Sequence, residues 1–405
     1  MELDAFITRS GAIGSIHAFA GTEESFALFL ALTVAPLIAA LVGSIARWQP
    51  FALAPEAHSR AEEGAGGKEA LFYLNNLVVF GLLALIAYMT LAPALPPWLP
   101  FAGRSFPAEA HLAVVAPVTV LYFLILCACL IVRWHGSAGQ KLKARVRAAL
   151  LAGSPLFLLL CLYWATVLLP CAQHASSDSL ASLMSPLYRH VLTLSAFFST
   201  ALTLGGVLCR SRELFLLSYP AATGSPSPAV LFRQIGALVA HASMAVLLIG
   251  LVSSTFYPSD KTFSVTVDHQ TGAALTETEP LALDGYRLDY QGMSTTVMAN
   301  KTDLLNQVTF EVSRTDGTVI GQAAPSLQAM ATTRQTHFPA AIMGSPLEDL
   351  FVIYKGTIPG SQANDDVMEL AIEVRVNHLV SFVWAGFALF TIGCLLSIAG
   401  TFPKN

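Results

Sequence analysis

The sequence has few charged residues for its length. Only 12% of its 405 residues are Asp, Glu, Lys or Arg, against about 25% in a typical soluble domain. Hydrophobic residues make up 54% of the chain, and its mean hydropathy is +0.61. The formal net charge is −4, and the basic residues fall in short separate clusters, so the chain offers no basic face for nucleic acid. These features exclude an ordinary soluble enzyme and indicate an integral membrane protein.

The sequence also lacks the motifs of several kinds of site. None of its six cysteines belongs to a C-x-x-C or C-x-x-C-H motif, so we expect no disulfide framework, no zinc site and no covalently attached haem. The cysteines are expected to be small core residues. There is no H-E-x-x-H metal motif and no convincing nucleophile triad.

The sequence does contain long apolar runs. A helix needs about 20 apolar residues to cross a bilayer core, and seven stretches qualify, near residues 25–46, 71–92, 112–132, 149–170, 187–208, 234–257 and 379–400. Basic residues are concentrated after the first, third and fifth of these spans. The positive-inside rule therefore predicts an outer N-terminus and an inner C-terminus. Arg189 and His190, at the outer end of the fifth span, are expected to reach water and anchor the helix.

The segment 258–378 has a different pattern, with strand-like alternation over 263–267 and 308–312. Asp316-Gly317 between alternating segments predicts a hairpin turn. Further strands are expected over 285–291, 349–355 and 367–376. The predicted organisation is an amphipathic outer-surface segment (1–24), six transmembrane helices (25–257), a β-rich outer domain (258–378), and a seventh span with a short inner tail (379–405).

Histidines are the main candidates for chemistry. His241 lies about eight residues into the sixth span, on the order of 12 Å from the inner surface, where ionisable groups are costly and usually functional. Ala237 and Ala245, one turn away on either side, would leave a shallow surface on which a flat macrocycle such as haem fits. From depth alone, an axial haem ligand and a neutral histidine hydrogen-bonded within the bundle both remain open.

His17 lies in the amphipathic segment 1–24, in which Phe6, Ile13, Ile16 and Ala20 share one side of a helix. Taken alone, His17 is best interpreted as an ordinary interfacial histidine. The remaining histidines, including His378 at the edge of the β-rich segment, are assigned no role.

Five segments in order carry a resemblance to a known family. Residues 8–20, 69–77, 236–250, 349–354 and 382–386 resemble the corresponding segments in the second half of CcmF-type cytochrome c haem lyases, and the match extends over nearly the whole chain. The resemblance implies a component of system I cytochrome c maturation in the bacterial inner membrane, with a periplasmic active face, that attaches haem to C-x-x-C-H motifs of apocytochromes.

The resemblance also implies roles for two histidines. His17 matches an outer histidine that ligates the substrate haem, and His241 matches an intramembrane histidine that ligates a permanent b-type haem. The other histidine of each pair lies in the family's first half, together with a W-W-D segment that this chain lacks. The chain therefore resembles one product of a split haem lyase, with the N-terminal half as a separate subunit.

Other partners implied by the resemblance are the apocytochrome, a haem chaperone and thiol-reducing maturation proteins. Two other classes of function remain open from the sequence. One is a structural or assembly subunit that binds no haem, and the other is a component of a haem transporter. The second is the weaker, because no pair of charged residues faces the spans at mid-depth.

Overall fold

The computed structural model describes residues 38, 42, 45, 68–106, 108–132, 139–171, 185–218, 228–268, 271–274, 280–297, 304–330, 335–358 and 367–400. The chain divides into two compact units, Met1–Ala144 and Arg145–Asn405. The predicted amphipathic segment lies outside the described residues. So does the predicted first span, apart from Ile38, Val42 and Ile45, which are helical.

In the first unit, two apolar helices pack against each other. They are α1 (Lys68–Leu91) and α2 (Ala108–Ile131). Helix α1 exposes large apolar side chains such as Leu77 and Phe80 along its length. A helix that is apolar all round is typical of a membrane span.

The second unit contains four long helices. Helix α3 (Gly139–Tyr163) starts just before this unit and continues through a π-helical turn, Trp164–Leu168, to a last turn, Leu169–Cys171. The wider turn precedes Pro170, which has no N–H and whose ring clashes with a regular preceding turn. Helices α4 (Pro186–Ser218) and α5 (Pro228–Phe256) follow, and α6 (Val380–Ala399) comes after the strands.

Six helices in the described residues are long and apolar enough to cross a membrane. They coincide with the predicted second to seventh spans, but several are longer than predicted. Helix α3 begins ten residues before the predicted start at 149, and α4 ends ten residues after the predicted end at 208. The helices are longer than the predicted spans for a physical reason. An apolar run shows only how much of a helix crosses the hydrocarbon of the membrane, and the helix itself continues into polar flanking residues.

Close backbone contact at glycines joins these helices. A Cβ on Gly153 of α3 would lie 2.3 Å from the carbonyl oxygen of Ala201 in α4, and a Cβ on Gly205 of α4 would lie 2.2 Å from that of Ala149 in α3. Helices α5 and α6 meet in the same way. A Cβ on Gly393 would lie 2.6 Å from the backbone nitrogen of Ala240. Small residues allow such close approach, which drives helix association in membranes.

In the described residues between α5 and α6, ten strands form two antiparallel sheets. The strands are β1 (Ser259–Asp268), β2 (Leu281–Leu283), β3 (Tyr286–Val297), β4 (Leu304–Arg314), β5 (Val319–Ala323), β6 (Ser326–Met330), β7 (Gln335–His337), β8 (Ala341–Gly344), β9 (Glu348–Thr357) and β10 (Val367–His378). One sheet has the order β1-β10-β9-β8. The other has the order β2-β3-β4-β6-β7, with β5 also paired to β4.

The two sheets share one hydrophobic core. Alternate residues of each strand are buried in it, including Val265 and Ile372 from the first sheet and Leu288 and Phe310 from the second. This alternation is the signal that the sequence carried at β1 and β4. The predicted hairpin joins β4 to β5, and Gly317 has the positive φ of +87° that its turn requires.

A buried ion-pair network stabilises the centre of the first sheet. Glu373 of β10 is 5% exposed and pairs with Lys355 and, at 2.6 Å, with Arg375. Burial raises the pKa of the Glu373 carboxyl, but the hydrogen bonds and charges of Lys355 and Arg375 outweigh burial, so the pKa lies below its ordinary value. The ionised carboxylate therefore stabilises the fold above about pH 4.3, and this contribution is lost as the pH falls through the lowered pKa.

We predict that Glu373→Gln weakens the first sheet at neutral pH. The expected loss is about 1–2 kcal/mol, because charged hydrogen bonds are lost from partners that are themselves half-exposed. Hydrogen exchange of β9 and β10 peptides in the detergent-solubilised chain should be about tenfold faster than in wild type at pH 7. The difference should shrink and then disappear as the pH falls through the lowered pKa of Glu373, because the carboxyl group is then protonated. Glu369→Gln, on the same strand, is the control. Equal exchange in wild type and Glu373→Gln at pH 7 would contradict the prediction.

Candidate functional site

His241 lies near the middle of α5. The helix begins six residues before the predicted span, at Pro228, so His241 is about 20 Å along the axis from either end. The first six residues of α5 precede the predicted span and include Arg233, so the depth of His241 in the membrane stays a prediction. Its side chain is half-buried, on a helix that packs against both α4 and α6. A histidine at this depth needs a partner for its ring nitrogens.

One partner of His241 lies on its own helix. Its Nδ1 atom is 2.6 Å from the carbonyl oxygen of Ala237. A carbonyl oxygen only accepts, so Nδ1 carries the hydrogen and Nε2 carries the lone pair of the neutral ring. A backbone carbonyl that fixes the tautomer in this way is the common arrangement of metal-bound histidines. The residues present therefore fit an axial ligand to haem iron.

The surface beside His241 is open in one direction only. Ala237 is exposed, as the sequence predicted for a shallow surface, but Ala245 is fully buried. The expectation of a smooth surface on both sides of His241 is therefore wrong on the side of Ala245. On that side the packing of α5 in the bundle also buries Leu248 and Val252. A planar group beside His241 would contact the helix on the side of Ala237.

A buried tyrosine lies where the π-helical turn after α3, the first residues of α4 and the end of α5 meet. Tyr257, directly after α5, is fully buried. Its hydroxyl oxygen accepts a hydrogen bond from Trp164 Nε1 and lies 2.9 Å from His190 Nδ1. Arg189 lies over the Tyr257 ring, 5.3 Å from its centroid, and is only 6% exposed. The expectation that Arg189 reaches water is wrong, because the aromatic ring and the bundle enclose it.

A second polar cluster lies where helices and strands join. It consists of Cys171 at the end of the last turn after α3, Asp284 in the turn between β2 and β3, and His378 at the end of β10. One ligand atom from each of these residues lies within 4.8 Å of the other two. His378 Nε2 is 3.2 Å from Cys171 Sγ. We call these three residues the Cys-Asp-His cluster.

Glu348 faces the other side of His378. A carboxylate oxygen of Glu348 is 3.8 Å from His378 Nδ1. The same carboxylate accepts hydrogen bonds from Arg314, at 2.8 Å, and from the Tyr286 hydroxyl, at 3.1 Å. Burial lowers the pKa of His378, while the charges of Glu348 and Asp284 oppose this shift.

The sequence interpretation missed the Cys-Asp-His cluster. Cys171 and His378 are 207 positions apart, so no short motif links them. One usable signal was present, because Asp284-Gly285 has the same hairpin character as Asp316-Gly317, and both Asp284 and Gly285 have positive φ. The other predicted site residue, His17, lies outside the described residues.

Comparison with known proteins finds relatives that match nearly the whole chain. The cytochrome c-type biogenesis protein CycK of Bradyrhizobium diazoefficiens is 25% identical over 403 residues, which is 98% of this chain. The cytochrome c-type biogenesis protein CcmF of Pseudomonas aeruginosa is 24% identical over 398 residues, also 98% of this chain. The resemblance to CcmF-type proteins is confirmed. This CcmF-like chain spans about half the length of these relatives, 53% of CycK and 52% of CcmF.

A solved structure supports the CcmF-like fold. The cytochrome c haem lyase CcmF aligns with 99% of this chain and 58% of its own, with a TM-score of 0.57 and 15% identity. No family model matches the sequence. The described part of the chain thus has six apolar helices and a β-rich domain, the architecture of a CcmF-like membrane protein. The relatives CycK and CcmF are named as cytochrome c biogenesis proteins.

Proposed function

We propose that this chain is a subunit of a cytochrome c haem lyase in the bacterial inner membrane. It positions haem for thioether attachment to C-x-x-C-H motifs of apocytochrome c at the periplasmic face. The proposal rests on the mid-helix position of His241. Its Nδ1 atom donates a hydrogen bond to the carbonyl oxygen of Ala237, which leaves the lone pair of the neutral ring on Nε2. Two findings support the reaction class that we propose: the relatives CycK and CcmF are named cytochrome c-type biogenesis proteins, and the similar solved structure is named a cytochrome c haem lyase.

In this proposal His241 is one axial ligand of a b-type haem, and the second comes from a separate N-terminal subunit that carries the W-W-D segment. The hydrogen bond from Nδ1 to Ala237 orients the ring and makes Nε2 a better donor to iron. A b-type haem held by these residues would supply electron-transfer chemistry, passing electrons from a quinol to the iron of the substrate haem. The half-exposed side chain of His241 suits a site completed by another chain.

His17 is proposed to ligate the incoming substrate haem at the outer surface. Thioether formation adds each cysteine S–H across a haem vinyl group, so that an S–C bond forms and the proton goes to the second vinyl carbon, with no net redox change. Such a reaction needs fixed geometry more than acid–base catalysis, and His17 supplies part of that geometry. The apocytochrome histidine displaces one temporary ligand as the thiols engage.

The β-rich domain and the remaining partners complete the proposal. The domain is attached to the membrane helices at both ends, by α5 and α6. We assign it the docking of the apocytochrome or of the haem chaperone that delivers the substrate. Thiol-reducing maturation proteins would keep the cysteines of the C-x-x-C-H motif available. The alternative, an assembly subunit without haem, predicts that no histidine variant of this chain changes haem content.

We predict that His17→Ala impairs attachment and leaves the b-type haem in place. The expected fall in holocytochrome c is about tenfold to a hundredfold, the usual cost of a misplaced substrate. The test co-expresses this chain with its W-W-D partner and an apocytochrome reporter, and measures covalent haem by peroxidase staining after denaturing electrophoresis.

His111→Ala is the matched control for His17→Ala, because His111 is a histidine predicted to lie on the same side of the membrane. It should mature cytochrome at the wild-type level. Wild-type maturation in the His17→Ala strain, at equal levels of the chain, would refute the role of His17. Loss of the b-type haem in that variant would show that the two haem sites were assigned wrongly.

A further inference from the structure

The Cys-Asp-His cluster has the composition and spacing of a metal site. We propose that Cys171, Asp284 and His378 bind one divalent transition-metal ion of the zinc class. The three residues come from three separate segments, the last turn after α3, the β2–β3 turn and the end of β10. This inference concerns residues that the proposed haem role does not use, so it stands or falls independently of that role.

The distances fit a tetrahedral ion. Zinc binds sulfur at about 2.3 Å and imidazole nitrogen at about 2.0 Å, which places neighbouring ligand atoms about 3.5 Å apart. Cys171 Sγ and His378 Nε2 are 3.2 Å apart, and the nearest Asp284 oxygen lies within 4.8 Å of both. An ion would therefore need only small side-chain shifts. Three protein ligands leave a fourth position for water.

The donor set selects the class of metal. A thiolate, an imidazole and a carboxylate together suit zinc and its neighbours, whereas calcium and magnesium require oxygen ligands throughout. Cys171 and His378 are also buried, at 8% and 4% exposed. Asp284 is half-buried at a turn and gives the site an approach from outside.

The surroundings of His378 support ligation through Nε2. Its other nitrogen, Nδ1, faces a Glu348 carboxylate oxygen at 3.8 Å. A carboxylate behind a histidine ligand fixes the ring and raises its basicity, as in carboxylate–histidine–zinc arrangements. Glu348 is itself held by Arg314 and Tyr286. The ion would join the β-rich domain to the outer end of the α3 segment.

The test measures metal bound to the full-length chain purified in detergent. The chain is stripped with a chelator, reloaded with zinc chloride, and analysed by mass spectrometry for metal per chain. We expect one tightly bound zinc per chain. Reloading with cobalt chloride should give a thiolate-to-cobalt charge-transfer band, which requires a cysteine ligand and so distinguishes this site from surface histidines. Cys171→Ser should abolish that band.

Two further variants keep the test decisive if Cys171→Ser fails to fold. Asp284→Asn preserves the turn, because Asn favours the positive φ found there, and should weaken zinc binding about tenfold or more. His378→Gln should do the same. Cys161→Ser and His337→Gln are the matched controls and should bind zinc like wild type. The proposal would be overturned if the chain bound no stoichiometric zinc, if cobalt gave no charge-transfer band, or if Cys161→Ser and Cys171→Ser lost metal binding equally. Cys171 and His378 would then be only a hydrogen-bonded pair in the protein core.

Discussion

Replacing His241 by alanine is expected to reduce cytochrome c maturation at least about tenfold. Loss of a group that only hydrogen-bonds to a metal ligand already costs about tenfold to a hundredfold, and this variant removes the proposed ligand itself. The variant removes the Nε2 donor and the Nδ1 contact to Ala237. It leaves the helix intact, because alanine is a strong helix former and the same face already carries Ala237 and Ala245. Covalent haem on a reporter apocytochrome, compared at equal levels of the chain, measures the effect.

The control for His241→Ala is His337→Ala, a histidine in the β-rich domain that has no place in the proposed haem site. It should support maturation like wild type. Addition of imidazole to membranes that contain His241→Gly provides a second arm, since a free imidazole restores a missing axial ligand when the cavity is open. Full maturation by His241→Ala would mean that this histidine is a hydrogen-bonded bundle residue, which is the alternative left open by its depth alone.

The second large effect is expected at the contact between α5 and α6. In Gly393→Val, the new Cβ would lie 2.6 Å from the Ala240 nitrogen and 2.8 Å from the Gly236 carbonyl oxygen. Both are backbone atoms, which cannot rotate away, so α6 must move off α5. Overpacking costs about 1–3 kcal/mol in general, and we expect the upper end here. Because Ala240 directly precedes His241, the movement should also disturb the haem site.

Two quantities are measured for Gly393→Val. One is the amount of the chain in the membrane, and the other is the amount of the proposed b-type haem bound per chain. Both should fall several-fold, since a loss of about 1–2 kcal/mol already changes abundance to that extent. Gly81→Val is the matched control. Gly81 also lies in an apolar helix, α1, but a Cβ there meets nothing within 4 Å in the described part of the chain. Equal loss in the two variants would point to helix propensity instead of the close contact.

The helices were predictable because membrane spans depend on local composition. An apolar run long enough to cross a bilayer is visible without any knowledge of neighbours, and α1 to α6 all coincide with such runs. The strands were less visible. Alternation predicted β1 and β4, and the further strands expected over 285–291, 349–355 and 367–376 coincide with β3, β9 and β10. Strands β2, β7 and β8, however, are only three or four residues long. Strands so short lack a recognisable period and form only because neighbouring strands pair with them.

The same distinction holds for the sites. His241 was a candidate from its depth and from the matching family segment, since both are properties of one helix, and its role stays a prediction. Arg189 was misjudged, because its burial depends on Tyr257, which directly follows a different helix, α5. Cys171 and His378 were assigned no role because only the tertiary fold brings them together. Residues whose role depends on contacts across hundreds of positions carry no local signal.

The most direct test of the central claim is the optical spectrum of the complex. This chain should be co-purified with its W-W-D partner, and reduced-minus-oxidised and pyridine haemochrome spectra recorded for wild type and His241→Ala. The account predicts a b-type signal with two histidine ligands in the wild-type complex and its absence in the variant. A signal of equal size in both, or none in the wild-type complex, would contradict the assignment of His241 and favour a structural subunit without haem.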